Sequence, residues 1–142
     1  MQFGYQSRDE EGTQTPTQTL QRRWGSCRDF AVLLAEAARS LGFGARIVTG
    51  YLYTPIEAMQ PQARGAGTTH AWTEIFIPGP GWLAFDPTNG TVGGEDLIRV
   101  TVARDIHQIM PITGSFQGAR EDYLGMEVSV TVQLATAEAI AS

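Results

Sequence analysis

Apolar positions along this chain repeat first with a helical period and later with a period of two. Phe30, Leu33, Leu34, Ala37, Ala38 and Leu41 recur at helical spacing and predict an amphipathic helix with these residues on its apolar face. Asp29, Glu36, Arg39 and Ser40 fall largely elsewhere. The start is marked by Ser26-Cys27-Arg28-Asp29, a Ser-x-x-Asp capping pattern that makes Ser26 the cap and puts Cys27 in the first turn. Gly42 is a natural left-handed terminator. Upstream, Thr15-Pro16-Thr17-Gln18 combines a capping threonine, a proline at the first helical position and a glutamine that completes a capping box. That predicts a shorter helix running to about Arg23 and broken by Gly25.

After Gly42 the period changes. Ala45 to Tyr53 is rich in β-branched and aromatic residues and reads as a strand. A loop from Thr54 to Gly67 follows, then a strand from Thr68 to Ile77. Pro78-Gly79-Pro80-Gly81 is a turn, and Trp82 to Asp86 is a strand stopped by Pro87, so the two strands form an antiparallel hairpin. Asn89, Gly90, Gly93 and Gly94 mark a loop. Leu97 to Ala103 is a further strand, and Ile106 to Arg120 is irregular. From Leu124 to Leu134, Leu124, Met126, Val128, Val130, Val132 and Leu134 alternate with polar or small residues, as in an antiparallel strand with one buried face. Residues 1–14 read as an irregular polar leader with Phe3 and Tyr5 as anchors, and 135–142 as a frayed tail. Helices first and strands after predict a single α+β domain over residues 1–142, with a helix packed on an antiparallel sheet.

Composition narrows the function. A length of 142 residues suits one domain with a real core. The formal net charge is −5, the wrong sign for nucleic acid or an anionic membrane surface, and no basic run offsets it. No apolar run is long enough to span a bilayer. MQFGYQSRDE lacks the basic-then-apolar order of a signal peptide. A soluble, cytoplasmic protein is therefore expected. All ten basic residues are arginine, so no lysine side chain is available as an amine donor for self-crosslinking. One cysteine excludes an internal disulfide.

A lone cysteine is ordinarily a small buried hydrophobe. Cys27 departs from that by its position: the first turn of a helix offers unpaired N–H groups and a positive dipole end. Both favour a thiolate, and the same N–H groups can hold an oxyanion. His70 stands at the start of one hairpin arm and Asp86 at the end of the other, so both belong to the same end of the ribbon. A carboxylate there can bond one ring nitrogen and leave the other for Cys27. Glu74 reads as a supporting residue or an arginine partner, Trp72 and Trp82 as sheet-face packing or cleft wall, Asp29 as a cap, and His107 as a surface residue. No zinc spacing, EF-hand loop or phosphate-binding glycine motif is present, so no cofactor is expected.

The segment GSCRDFAVLLAEAARSLGFGARIVTGYL resembles the cysteine motif of the bacterial transglutaminase-like superfamily, and THAWTEIFIPGPGWLAFDPTNG resembles its histidine and aspartate motifs. The likeness runs from about Thr15 to Gly90. It implies a papain-like α+β fold with Cys27 as nucleophile, His70 as base and acid, and Asp86 as the orienting residue. Members of the family often carry more chain before the cysteine helix than the short leader here. Papain-like proteases use a glutamine upstream of the cysteine to hold the oxyanion. Gln21, six residues before Cys27, occupies a similar position, although the helix reading places it on the surface; the Trp24 indole N–H is the other option, and Trp24 could equally be core.

The expected activity is thiol-dependent cleavage of peptide or amide bonds through a thioester. Hydrolysis is favoured because neither a calcium site nor a lysine-binding acidic groove is legible. Transfer to an amine, as in a transglutaminase, is the alternative. The rival from another class is a binding module that keeps the fold and holds a peptide in its cleft, and a plain structural subunit with a buried thiol is a third. Reactivity of the native thiol separates these readings. Nothing in the sequence marks an oligomeric state.

Overall fold

The computed structural model describes residues 3–7, 12–53, 69–109, 117–125, 130 and 132. The elements run β1 (Gly4–Tyr5), α1 (Pro16–Arg22), β2 (Trp24–Gly25), α2 (Cys27–Ser40), β3 (Ala45–Leu52), β4 (Thr69–Ile77), β5 (Gly81–Asp86), β6 (Thr91–Gly93) and β7 (Leu97–Ala103). The last five form an antiparallel sheet in the order β6-β5-β4-β3-β7, with α2 packed across β3 and β4 and α1 against α2. This is the expected α+β architecture, a helix on an antiparallel sheet. No helix among the described residues is long and apolar enough to cross a membrane.

Both helices begin where the local chemistry directs. Thr15 accepts from the Gln18 N–H and the Gln18 side chain accepts from the Thr15 N–H, closing the capping box around Pro16. That helix ends on Arg23, which takes the left-handed conformation at φ 59°; the stop therefore falls before Gly25. Helix α2 ends as Gly42 predicts. At φ 87°, its N–H reaches the Arg39 carbonyl and the next N–H, from Phe43, reaches Ala38, so two late carbonyls are satisfied.

The face that α2 buries is not the one its larger residues suggest. Of that expected face Phe30 and Ala38 are buried, but Leu41 is 76% exposed, Leu33 and Leu34 are half-buried, and Ala37 is exposed. The sheet is met instead by Ala31 and Ala35, which pack with Ile47, Ala71, Ile106 and Ile109, while Cys27 and Val32 lie at the margin of this core. Small side chains bring the helix axis close to the strands. The Thr73 hydroxyl can thus donate to the Ala31 carbonyl at 2.8 Å, a buried bond between sheet and helix. Cys27, Ala31 and Ala35 are spaced at i, i+4 and i+8, so the nucleophile candidate stands on the stripe that faces the sheet.

Two further differences from the expected elements matter for the site. The leader is not wholly irregular: Gly4–Tyr5 pairs in parallel with Trp24–Gly25, and the Phe3 ring meets Phe30 edge-on at 6.1 Å. The stretch after Asp86 is a second hairpin rather than a loop. Asp86 pairs with Thr91, the Gly90 N–H returns to the Asp86 carbonyl at 2.8 Å, and Gly90 has φ 69°. A three-residue edge strand, Thr91-Val92-Gly93, carries too little pattern to be read from sequence. The strand expected at Leu124–Leu134 and the tail at 135–142 fall mainly outside the described residues, as does the loop from Thr54 to Gly67.

Candidate active site

The β4–β5 hairpin sets the register of the site. Thr73 pairs with Phe85 and Ile77 with Gly81, which carries His70 and Asp86 to the same end of the ribbon. There the two side chains are joined: His70 Nε2 lies 2.7 Å from Asp86 Oδ2, with both residues almost wholly buried. An ionised carboxylate can only accept, so Nε2 carries the hydrogen and donates it. Asp86 is itself fixed by the turn that follows. Its Oδ1 accepts from the backbone N–H of Thr88 at 2.9 Å and of Asn89 at 3.3 Å, and its Oδ2 from the Asn89 side-chain amide at 2.8 Å. The Asp-Pro-Thr-Asn sequence is thus an aspartate turn whose carboxylate also holds a histidine. Asn89 was not singled out as a site residue. The signal for it was its place three residues after the aspartate, inside a tight turn.

Burial pushes Asp86 up, but the hydrogen bond and charge of His70 and the two Asn89 contacts outweigh it and hold the carboxyl below its ordinary 3.8. Burial likewise pulls His70 down. The hydrogen bond to Asp86, the Cys27 thiol and the charges of both partners overcome this and raise His70 from 6.5 to about 9. Cys27 therefore acts on the imidazole from α2 while Asp86 holds it from β5. The second ring nitrogen, Nδ1, is buried and has no partner in good hydrogen-bond geometry among the described residues.

Cys27 is half-buried at the first position of α2. The turn beneath it is held by Asp29, which is fully buried. Its Oδ2 accepts from the Ser26 N–H at 2.8 Å, the Ser26 hydroxyl at 2.9 Å and the Gln14 amide at 3.2 Å, and its Oδ1 accepts from the Gln14 N–H at 2.7 Å. The Gln14 amide also donates to the Trp24 carbonyl, and its oxygen accepts from Arg22, each at 3.2 Å. Gly25 is required in this turn, because a Cβ there would come within 2.8 Å of the Asp29 Cβ. Asp29 is a cap, as its spacing implied, and also a tie to Gln14 at the end of the stretch read as an irregular polar leader.

The other sequence candidates lie further out. Gln21 is exposed on α1. Trp24 is half-buried in β2 with the Arg22 guanidinium 5.6 Å from its ring centre. Among the described residues no hydrogen bond or ring contact joins either to Cys27, His70 or Asp86. Glu74 pairs with Arg46 at 2.7 Å and Arg99 at 3.3 Å, and His107 is exposed. Trp82 packs against Phe76 with ring centres 5.5 Å apart, and the Arg46 guanidinium lies 4.1 Å from its ring centre.

A family model described as the transglutaminase-like superfamily core matches residues 1–87, more than half of the chain. Among curated relatives, an uncharacterized protein of Mycobacterium leprae is 35% identical over 107 residues, covering 75% of this chain and 37% of that protein. A Pseudomonas aeruginosa protein-glutamine gamma-glutamyltransferase is 34% identical over 74 residues, covering 46% of this chain and 10% of that protein. The chain thus spans well under half the length of these relatives. Among solved structures, a Cytophaga hutchinsonii protein named "Putative Cysteine Protease" superposes with a TM-score of 0.55 at 28% identity, over 76% of this chain and 34% of that one. Sequence motifs, fold and these matches agree: the chain belongs to the transglutaminase-like superfamily, a family of thiol enzymes.

Proposed function

We propose that Cys27, His70 and Asp86 form a catalytic triad that cleaves peptide or amide bonds through a thioester. The observation that carries this reading is the buried 2.7 Å hydrogen bond between His70 and Asp86, on an imidazole whose proton affinity the Cys27 thiol also raises. Such an imidazole stabilises a thiolate as an ion pair. The thiolate attacks the substrate carbonyl, a carbon–sulfur bond forms, and backbone N–H groups in the first turn of α2 hold the oxyanion. His70 then gives its proton to the leaving amine as the carbon–nitrogen bond breaks. In the second half, water loses a proton to His70 and attacks the thioester. The thiolate leaves and a carboxylic acid is released. Asp86 keeps the imidazole in the orientation both halves need.

Hydrolysis is supported by the likeness to the Cytophaga hutchinsonii protein, and transfer to an amine by the relative named as a gamma-glutamyltransferase. The two differ only in what attacks the thioester. The test is the pH dependence of Cys27 alkylation by iodoacetamide in native protein and in His70→Ala, followed by turnover of peptide amides with and without a primary amine. Rapid labelling near pH 6, well below the free-thiol value of ~8.5 and slowed by the His70 change, supports the triad. Labelling that appears only at high pH or on unfolding, whatever stands at position 70, sinks it in favour of a binding module or structural subunit. Acid release unaffected by added amine supports hydrolysis; amide formation at its expense supports transfer.

A further inference from the structure

We propose that Trp72 is a positioning residue for His70, holding the imidazolium against the face of its indole; this rests on the reading of His70 as the base of the site. The two rings stack with centroids 6.1 Å apart and planes 27° apart, within the range of offset aromatic pairs. They follow each other at i and i+2 on β4, so they share one face of the sheet.

Two observations set Trp72 apart from ordinary core filling. First, its indole N–H is buried and has no hydrogen-bond partner among the described residues. Tryptophan in a core ordinarily finds such a partner, and a position that needed only volume could hold phenylalanine or leucine without stranding a donor. What tryptophan supplies beyond those residues is the strongest aromatic face for a cation. Second, the neighbouring strand leaves room for that face. Gly50 on β3 pairs with His70, and a Cβ there would come within 3.0 Å of the Trp72 ring and 1.9 Å of the Ile98 carbonyl oxygen. The Ile98 backbone, at the register shift between β3 and β7, demands the glycine, and its bareness also leaves the indole its place over β3 beside the imidazole. The titratable groups acting on His70 are Asp86 from β5 and Cys27 from α2; on β3, its partner Gly50 adds none. Asp86 fixes one ring edge, Cys27 acts from α2, and the indole fixes the ring plane.

The test is the titration of His70 by nitrogen-15 NMR of the imidazoles, which is simple to assign because the chain has only two histidines. It is run on wild type, Trp72→Phe and Trp72→Met, and alongside the pH profile of Cys27 alkylation. Methionine keeps an apolar filling without an aromatic face. Protein carrying 5-fluorotryptophan at position 72 keeps the shape and weakens the face, and it decides the matter should the methionine variant fail to fold. The expected result is a midpoint lowered by about half a unit in Trp72→Phe and about one unit in Trp72→Met. The fluorinated protein falls between wild type and Trp72→Met, and the alkylation profile narrows in parallel. Midpoints and profiles equal to wild type in folded variants overturn the inference while leaving the triad standing. A wild-type His70 that titrates near 6.5 sinks the triad reading and this inference with it.

Discussion

Asp29 and Asp86 are both buried carboxylates near one cysteine, and both are held below the ordinary carboxylate range. In each, burial works against the charge and hydrogen bonds overcome it. The donors differ. Among the described residues, the hydrogen-bond donors to Asp29 include the neutral N–H groups and side chains of Ser26 and Gln14, whereas Asp86 is bonded by a histidine raised to about 9, together with Thr88 and Asn89. A charge satisfied by fixed dipoles locks a backbone turn. A charge satisfied by a titratable ring controls that ring's proton. The same residue type at similar burial thus serves the architecture of the α2 N-terminus in one place and, in the proposed mechanism, the chemistry of the hairpin end in the other.

The contrast is broken most severely at Asp86. Asp86→Asn keeps the size of the side chain but lets Nε2 lose its fixed hydrogen, and amide turnover is expected to fall by about 10³–10⁴-fold with the fold intact. Steady-state kinetics together with circular dichroism check this; a fall under tenfold would remove Asp86 from the mechanism. Asp29→Ala strands the donors of Ser26 and Gln14 in the interior. It should cost about 3 kcal/mol in urea unfolding, far more stability than Asp86→Asn costs. Equal losses at the two sites would erase the distinction.

The pH dependence separates the two kinds of charge further. His70 is raised above its unfolded 6.5, so its contribution to stability is complete below that value and disappears as pH climbs through about 9. Both aspartates are lowered, so their contributions are present above the unfolded 3.8 and lost on acidification. Thermal melts should show an alkaline loss that His70→Ala abolishes and an acid loss that Asp29→Asn reduces. The smallest expected effect is at the turn: Asn89→Ala removes one of several donors to Asp86 and should slow turnover by only a few-fold, measured against the same amide substrate.

Much of this was legible before any coordinates. Both helix starts follow from capping patterns that act over three residues, and the central strands follow from β-branched runs bounded by proline and glycine. The shared hairpin end of His70 and Asp86 follows from a turn at residues 78–81. The apolar face of α2 is only partly the expected one: Phe30 and Ala38 are buried, but hydrophobicity ranks leucine above alanine, whereas close contact with the sheet selects by size. Gln14 escaped notice because its partners lie as many as 15 residues away and its own neighbourhood is polar. The role of Asn89 depended on a hairpin whose edge strand is three residues long.

By itself the sequence determined where both helices and the central strands begin, which end of the hairpin carries the histidine and aspartate, and that the cysteine opens a helix. These depend on neighbours a few residues apart, whose hydrogen bonds and turn preferences act locally. Only the tertiary structure decided that alanines rather than leucines meet the sheet, that Gln14 closes over Asp29, and that Trp72 lies across Gly50 against His70. Each joins segments distant in the chain through volume and burial, and those quantities exist only once the elements have packed.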